Sequence, residues 1–134
     1  MVERLYFNKK IEVRKSPLHG YGVFAKEDIN KGEILEECFF IVQDYNPHNA
    51  DYLFSFPDKN NENKYNVLPL GYGCIYNSSK VKGENNAIWK TNIDNNMFIF
   101  KSIKDIKKNE EICTFYGEAW WENYNRKYLP ENIK

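Results

Sequence analysis

Short runs of β-branched and aromatic residues, separated by polar turns, dominate the hydrophobic pattern of this chain. They fall at Ile11 to Lys15, Val23 to Ala25, Ile34 to Val42, Ala87 to Thr91, Met97 to Lys101 and Ile112 to Phe115. Runs of that length and composition predict strands. Asn92-Ile93-Asp94-Asn95-Asn96, lying between two of them, predicts a hairpin loop. Asp28-Ile29-Asn30-Lys31-Gly32-Glu33-Ile34 is echoed by Asp105-Ile106-Lys107-Lys108-Asn109-Glu110-Glu111-Ile112, with Gly32 and Asn109 at matching places. Glycine and asparagine are the residues that best tolerate positive φ. Nothing beyond these few residues recurs, so the echo reads as one turn solution used twice and not as an internal repeat. Pro57 to Asn66, with its Asn, Lys and Asp, predicts a mobile surface excursion.

After Gly117 the period changes. Trp120, Tyr124 and Tyr128 stand four residues apart and would share one helical face, and Pro130 ends the run. A short C-terminal helix with an aromatic stripe is predicted there. The pattern as a whole predicts a mainly β domain of short strands with one or two small helices.

Composition adds exclusions. At 134 residues the chain is most simply one domain, able to bury roughly two-thirds of the surface its unfolded form exposes. The three cysteines, Cys38, Cys74 and Cys113, are far apart with no C-x-x-C pair. They read as buried small hydrophobes in a reducing compartment, and no metal site is predicted. Nineteen basic residues balance nineteen acidic ones, so no broad electrostatic footprint for nucleic acid exists, and Lys107-Lys108 reads as a solvated turn. The longest apolar run, Cys38 to Val42, is too short to cross a bilayer, and Met1-Val2-Glu3-Arg4-Leu5 lacks the apolar core of a signal peptide. The expectation is an intracellular, soluble protein without membrane contact. His48 lies in a polar loop and reads as solvated, and His19 is a loop residue for which the sequence demonstrates no serine or cysteine pairing.

Three separated segments carry the chemistry: His19-Gly20-Tyr21-Gly22-Val23-Phe24, Gly71-Tyr72-Gly73-Cys74-Ile75-Tyr76-Asn77-Ser78-Ser79 and Glu110-Glu111-Ile112-Cys113-Thr114-Phe115-Tyr116-Gly117. Each alone has a bland reading. Two glycines between strands are more often a plain turn than a place where backbone meets a ligand, and the dinucleotide fingerprint is absent. An asparagine after an apolar stretch can be a core amide satisfied by a neighbouring turn. A tyrosine before glycine at a strand end is often a capping aromatic.

Taken together, in this order and spacing over roughly residues 11 to 117, the segments resemble the SET-domain protein-lysine methyltransferases, in particular the small stand-alone viral SET proteins. The resemblance implies a β-clip fold, several small sheets around a pseudoknot in which the Tyr-Gly ending passes beneath a loop from the Asn segment. It implies an N-terminal extension over 1–10, a SET domain over 11–117, and a helix over 118–134 that covers the cofactor site or makes a dimer contact. The stripe of that helix is equally well explained by docking on its own core.

Function follows from the same resemblance. It implies methyl transfer from S-adenosylmethionine, leaving S-adenosylhomocysteine, to the ε-amine of a protein lysine, with a histone tail favoured by analogy. The substrate would lie extended along a sheet edge, and a homodimer is among the implied assemblies. A histone substrate implies a nuclear, or host nuclear, location. Tyr116 matches the catalytic tyrosine. Gly20, Tyr21 and Gly22 match the loop that holds the methionine end of the cofactor. Asn77 and Ser78 match the pair that grips its amino-acid portion and adenine, and Trp121 on the C-terminal helix would cover it. Tyr21, Tyr52, Trp89, Thr114 and Tyr116 are the candidates for a channel around the substrate lysine, with core packing the alternative for each.

A lysine with a reference pKa of about 10.4 must lose its proton to attack. Burial among aromatics and an adjacent sulfonium both disfavour the ammonium, and alignment of donor and acceptor supplies much of the rate. Two positions depart from the family pattern. Ser78 stands where histidine is usual, which keeps main-chain contacts but loses an imidazole, and Asn85-Asn86 stands for Pro-Asn after a longer insert. The first departure motivates an alternative, a catalytically silent SET module that binds a peptide or partner. No cysteine follows Cys113, so the cysteine-rich zinc module that closes many SET sites is missing from this sequence.

Overall fold

The computed structural model describes residues 4–44, 52–57 and 64–117. The predicted C-terminal helix, with Trp120, Trp121, Tyr124 and Tyr128, lies outside the described residues, as does His48. Ten strands form among those described: β1 (Ile11–Lys15), β2 (Tyr21–Ala25), β3 (Ile34–Cys38), β4 (Phe40–Val42), β5 (Phe54–Pro57), β6 (Lys64–Pro69), β7 (Asn77–Ser78), β8 (Ala87–Asn92), β9 (Met97–Ser102) and β10 (Glu111–Thr114). They make three small sheets, ordered β1-β2-β10-β7, β3-β9-β8 and β4-β6-β5.

The predicted run from Ile34 to Val42 becomes two strands. Its first part pairs with β9 and its last three residues with β6, so the chain changes sheets at Phe39. An unbroken apolar run carries no mark of a change of partner. The excursion expected from Pro57 to Asn66 is corrected at its two ends, which are strand, while residues 58–63 between them lie outside the described residues. Pro57 ends β5 and Lys64 opens β6, and the two pair directly, with Ser55 opposite Asn66 and Phe56 opposite Tyr65. Polar residues there occupy exposed strand positions and had disguised an antiparallel pair of strands. The Asn-rich loop between β8 and β9 is a turn as expected, with Asn96 at φ 51°.

Rings fill the space between the second and third sheets. Phe98, fully buried on β9, meets Phe40, Phe54, Phe56 and Trp89 at centroid distances of 5.3–5.9 Å, with interplanar angles of 66–84°. Such edge-to-face contacts add stabilisation beyond area burial. Tyr76 stacks on Phe100 at 4.5 Å and donates its hydroxyl to Glu36 Oε1 at 2.7 Å. Glu36 is itself 2% exposed, and burial pushes its carboxyl above the ordinary range, opposed by the bonds from Tyr76 and the Tyr72 amide.

The two echoing turns meet each other. Ile29 and Ile106 exchange both backbone hydrogen bonds, at 2.7 and 2.8 Å. Asp28 accepts the Lys108 amide at 2.9 Å while Asp105 accepts the Lys31 amide at 2.7 Å. Gly32 and Asn109 both take positive φ, 91° and 75°. One turn solution is used twice, and each copy caps the other.

Candidate active site

The site is organised by β10, which lies between β2, antiparallel to it, and β7, parallel to it. Cys113 pairs with Asn77 and Thr114 with Ser78. The chain then leaves β7, runs through residues 79–86 and meets β10 again. Ser79 donates its amide to the Thr114 carbonyl at 2.8 Å. At the far end the Asn86 side chain acts as a surrogate strand, its Nδ2 donating to the Glu111 carbonyl at 2.9 Å and its Oδ1 accepting the Cys113 amide at 2.8 Å. A loop bonded to β10 at both ends ties the ending of the domain to the Asn77 segment. It brings Tyr116, thirty-nine residues on in sequence, beside the Asn77 segment.

Asn77 is 7% exposed, and its amide nitrogen serves three acceptors: the carbonyls of His19 and Tyr21 at 3.1 and 3.2 Å and Glu111 Oε2 at 2.7 Å. That set of acceptors fixes which end of the amide is nitrogen. The other oxygen of Glu111 accepts from Ser16 Oγ at 2.7 Å, and Ser16 in turn caps the loop by accepting the Leu18 amide at 2.9 Å. The Glu111 carboxylate lies directly under Gly22, where a Cβ would come within 2.2 Å of Oε2. Close approach therefore requires glycine at 22, and the loop, the amide and the ending form one unit.

Tyr116 is fixed at both ends. Its amide donates to Ser78 Oγ at 2.9 Å, and its hydroxyl donates to the Tyr76 carbonyl at 2.5 Å. Burial first, then the neighbouring Cys113, Cys74, Tyr52 and Glu111, pushes the phenol well above its usual range, so at neutral pH it keeps its proton. Burial likewise raises the thiols of Cys74, to about 11, and Cys113, to about 12, the latter helped by Glu111. Neither is a thiolate nucleophile at neutral pH.

The other candidates divide. Tyr52 is close enough to act electrostatically on Tyr116, and its carbonyl accepts the Cys74 thiol at 3.5 Å. Thr114 is 1% exposed beside Ser78, and Tyr21 joins the site through its carbonyl while its residue surface is 65% exposed. Trp89 sets its ring against Phe54 and Phe98, the core alternative. Trp121 lies outside the described residues. Sequence reasoning gave no role to Glu111, Ser16 or the Asn86 side chain. Glu111 stands in the quoted motif, where its spacing to Tyr116 was the available signal; nothing marked Ser16. Among the described residues no cluster of His, Cys, Asp and Glu could hold a metal ion, and no helix is long and apolar enough to cross a membrane.

A model of the SET domain matches residues 20–117, so the chain belongs to the SET-domain family. It is 31% identical over 119 residues to a Schizosaccharomyces pombe histone-lysine N-methyltransferase described as H3 lysine-37 specific, a match covering 83% of this chain and 76% of that protein. Among solved structures it resembles a Plasmodium falciparum protein described as a histone methyltransferase, at 38% identity and a TM-score of 0.66, covering 86% of this chain and 99% of that one. The methyltransferase domain of human PR domain-containing protein 2 shares the fold, with a TM-score of 0.60 at 17% identity over 84% of this chain and 80% of that one.

Proposed function

We propose that this chain is a protein-lysine N-methyltransferase that uses S-adenosylmethionine, with a lysine of a histone, in the first instance histone H3, as acceptor. The observation that carries this reading is the meeting of Tyr116, Asn77 and the Gly22 loop around β10, in a chain of the SET family. When bound, the cofactor supplies a sulfonium methyl, and transfer forms an N–C bond to the lysine as the C–S bond breaks and its electron pair stays on sulfur.

The residues fit such a ligand. With its nitrogen committed to three acceptors, Asn77 keeps a side-chain oxygen that accepts no hydrogen bond from the described residues. A nearly buried acceptor of that kind is costly unless satisfied, and an ammonium from the amino-acid portion of the cofactor suits it. Gly20, at φ 46° with open space around it, leaves room for main-chain approach. Tyr116, protonated and held by Tyr76, orients the incoming amine and does not remove its proton, which leaves to solvent before attack. Tyr52 and Thr114 flank that position.

Radiolabelled methyl transfer to a histone panel tests the proposal, with calorimetry for cofactor binding. Label on H3 is the expected result. Saturable cofactor binding without transfer to any histone or lysine-bearing extract protein would instead support the silent peptide-binding module.

A further inference from the structure

The Ser78 hydroxyl accepts the amide of Tyr116 at 2.9 Å while donating its own proton to the Ser79 carbonyl at 2.7 Å. From this geometry we infer that Ser78 is a positioning residue for Tyr116, and that serine at this place supports turnover where the family's usual residue is histidine. The inference rests on the reading of Tyr116 as the catalytic residue.

The β7–β10 ladder ends with the Ser78–Thr114 pair, so residues 115–117 continue as irregular chain. A half-buried amide just past a ladder needs a partner. Ser78 supplies it from a side chain 7% exposed, where water competes poorly. Because the hydroxyl proton is directed to Ser79, the oxygen presents its lone pairs to Tyr116. The hydroxyl of Tyr116 is held two residues earlier, by the Tyr76 carbonyl. Residues 76 and 78 therefore fix the two ends of one tyrosine, and Asn77 between them fixes the glycine loop. An imidazole at 78 would have to set its ring where Oγ now sits, and it has no oxygen to accept that amide at the same reach. The usual residue would thus disturb Tyr116 here.

Steady-state methyl transfer to H3, calorimetric cofactor affinity and amide hydrogen exchange are measured for the full chain and for Ser78→Ala, Ser78→Thr and Ser78→His. Ser78→Ala should lower kcat about tenfold with KM and cofactor Kd within about twofold, since one net hydrogen bond is removed. Ser78→Thr, which keeps the oxygen, should recover most of kcat, and Ser78→His should fall with alanine. Exchange at Tyr116 should quicken in Ser78→Ala while Ile112 stays protected. Wild-type kcat in Ser78→Ala, a loss confined to cofactor Kd, or a histidine variant faster than wild type would overturn the inference. So would unchanged Tyr116 exchange, a readout that needs no turnover. A wild-type chain that methylates nothing would overturn the methyltransferase reading instead, and the exchange result would still decide whether the Ser78–Tyr116 bond exists.

Discussion

In the β1-β2-β10-β7 sheet two amides, a hydroxyl and a carboxylate reach across to bond neighbouring strands, whereas the β3-β9-β8 and β4-β6-β5 sheets meet through rings. Hydrogen bonds are directional and lose strength over a few tenths of an ångström. Ring packing is non-directional and scales with area. The first half of the molecule therefore trades on position and the second on burial, and substitutions in the two halves should be read out by different assays.

The largest expected effect tests the aromatic half. Phe98→Ala should cost about 3–5 kcal/mol in denaturant unfolding, because four rings would surround the void. A cost under about 1 kcal/mol would mean that the two sheets are not held there. Next comes the polar half: Tyr116→Phe should cut turnover on the order of a hundredfold and lower stability by only about 1 kcal/mol. Turnover at the wild-type rate would dissolve the contrast. Glu36 is the sharper case, for it sits in the aromatic half yet bonds through Tyr76 toward the site. Its carboxyl is raised in the fold, so the native state holds the proton more tightly than the unfolded chain does. Its contribution is complete below about pH 4.3 and is lost as pH rises through the raised value. Unfolding midpoints followed upward from about pH 4 should fall less steeply in Glu36→Gln than in wild type; parallel curves would contradict the burial assigned to it. The smallest effect is at the twin turns. Asp28→Ala and Asp105→Ala should each cost about 1 kcal/mol, and the double variant should cost less than their sum, because each caps the turn that caps it.

Most strands were legible because β-branched and aromatic runs predict them, and β1 matches its predicted span, Ile11 to Lys15. Strands built of polar residues were not. Lys64, Tyr65 and Asn66 are exposed on β6, and β7 is two polar residues with no run to announce it. The site was legible as three motifs and their meeting, since the resemblance supplied a topology that hydrophobic period cannot. What joins them was not: Glu111 under Gly22, and Asn86 paired to β10, depend on a strand insertion that only the folded chain displays. The Ser78 side chain read as a loss because sequence compares residue types and does not show that its hydroxyl holds Tyr116.

The place of β10 between β2 and β7 also sets the order of events at the ribosome. Until Glu111 to Thr114 have emerged, the edges of β2 and β7 that they will cover face water unpaired, the kind of exposed template on which chains stick together. The strand that shields those edges is the same one that leads into Tyr116. Completion of the candidate site and protection from aggregation are thus achieved by a single late insertion, whose partners stand 36 to 89 residues upstream by the pairings Glu111 with Phe24, Ile112 with Val23, Cys113 with Asn77 and Thr114 with Ser78, a separation that makes the step slow relative to hairpin closure.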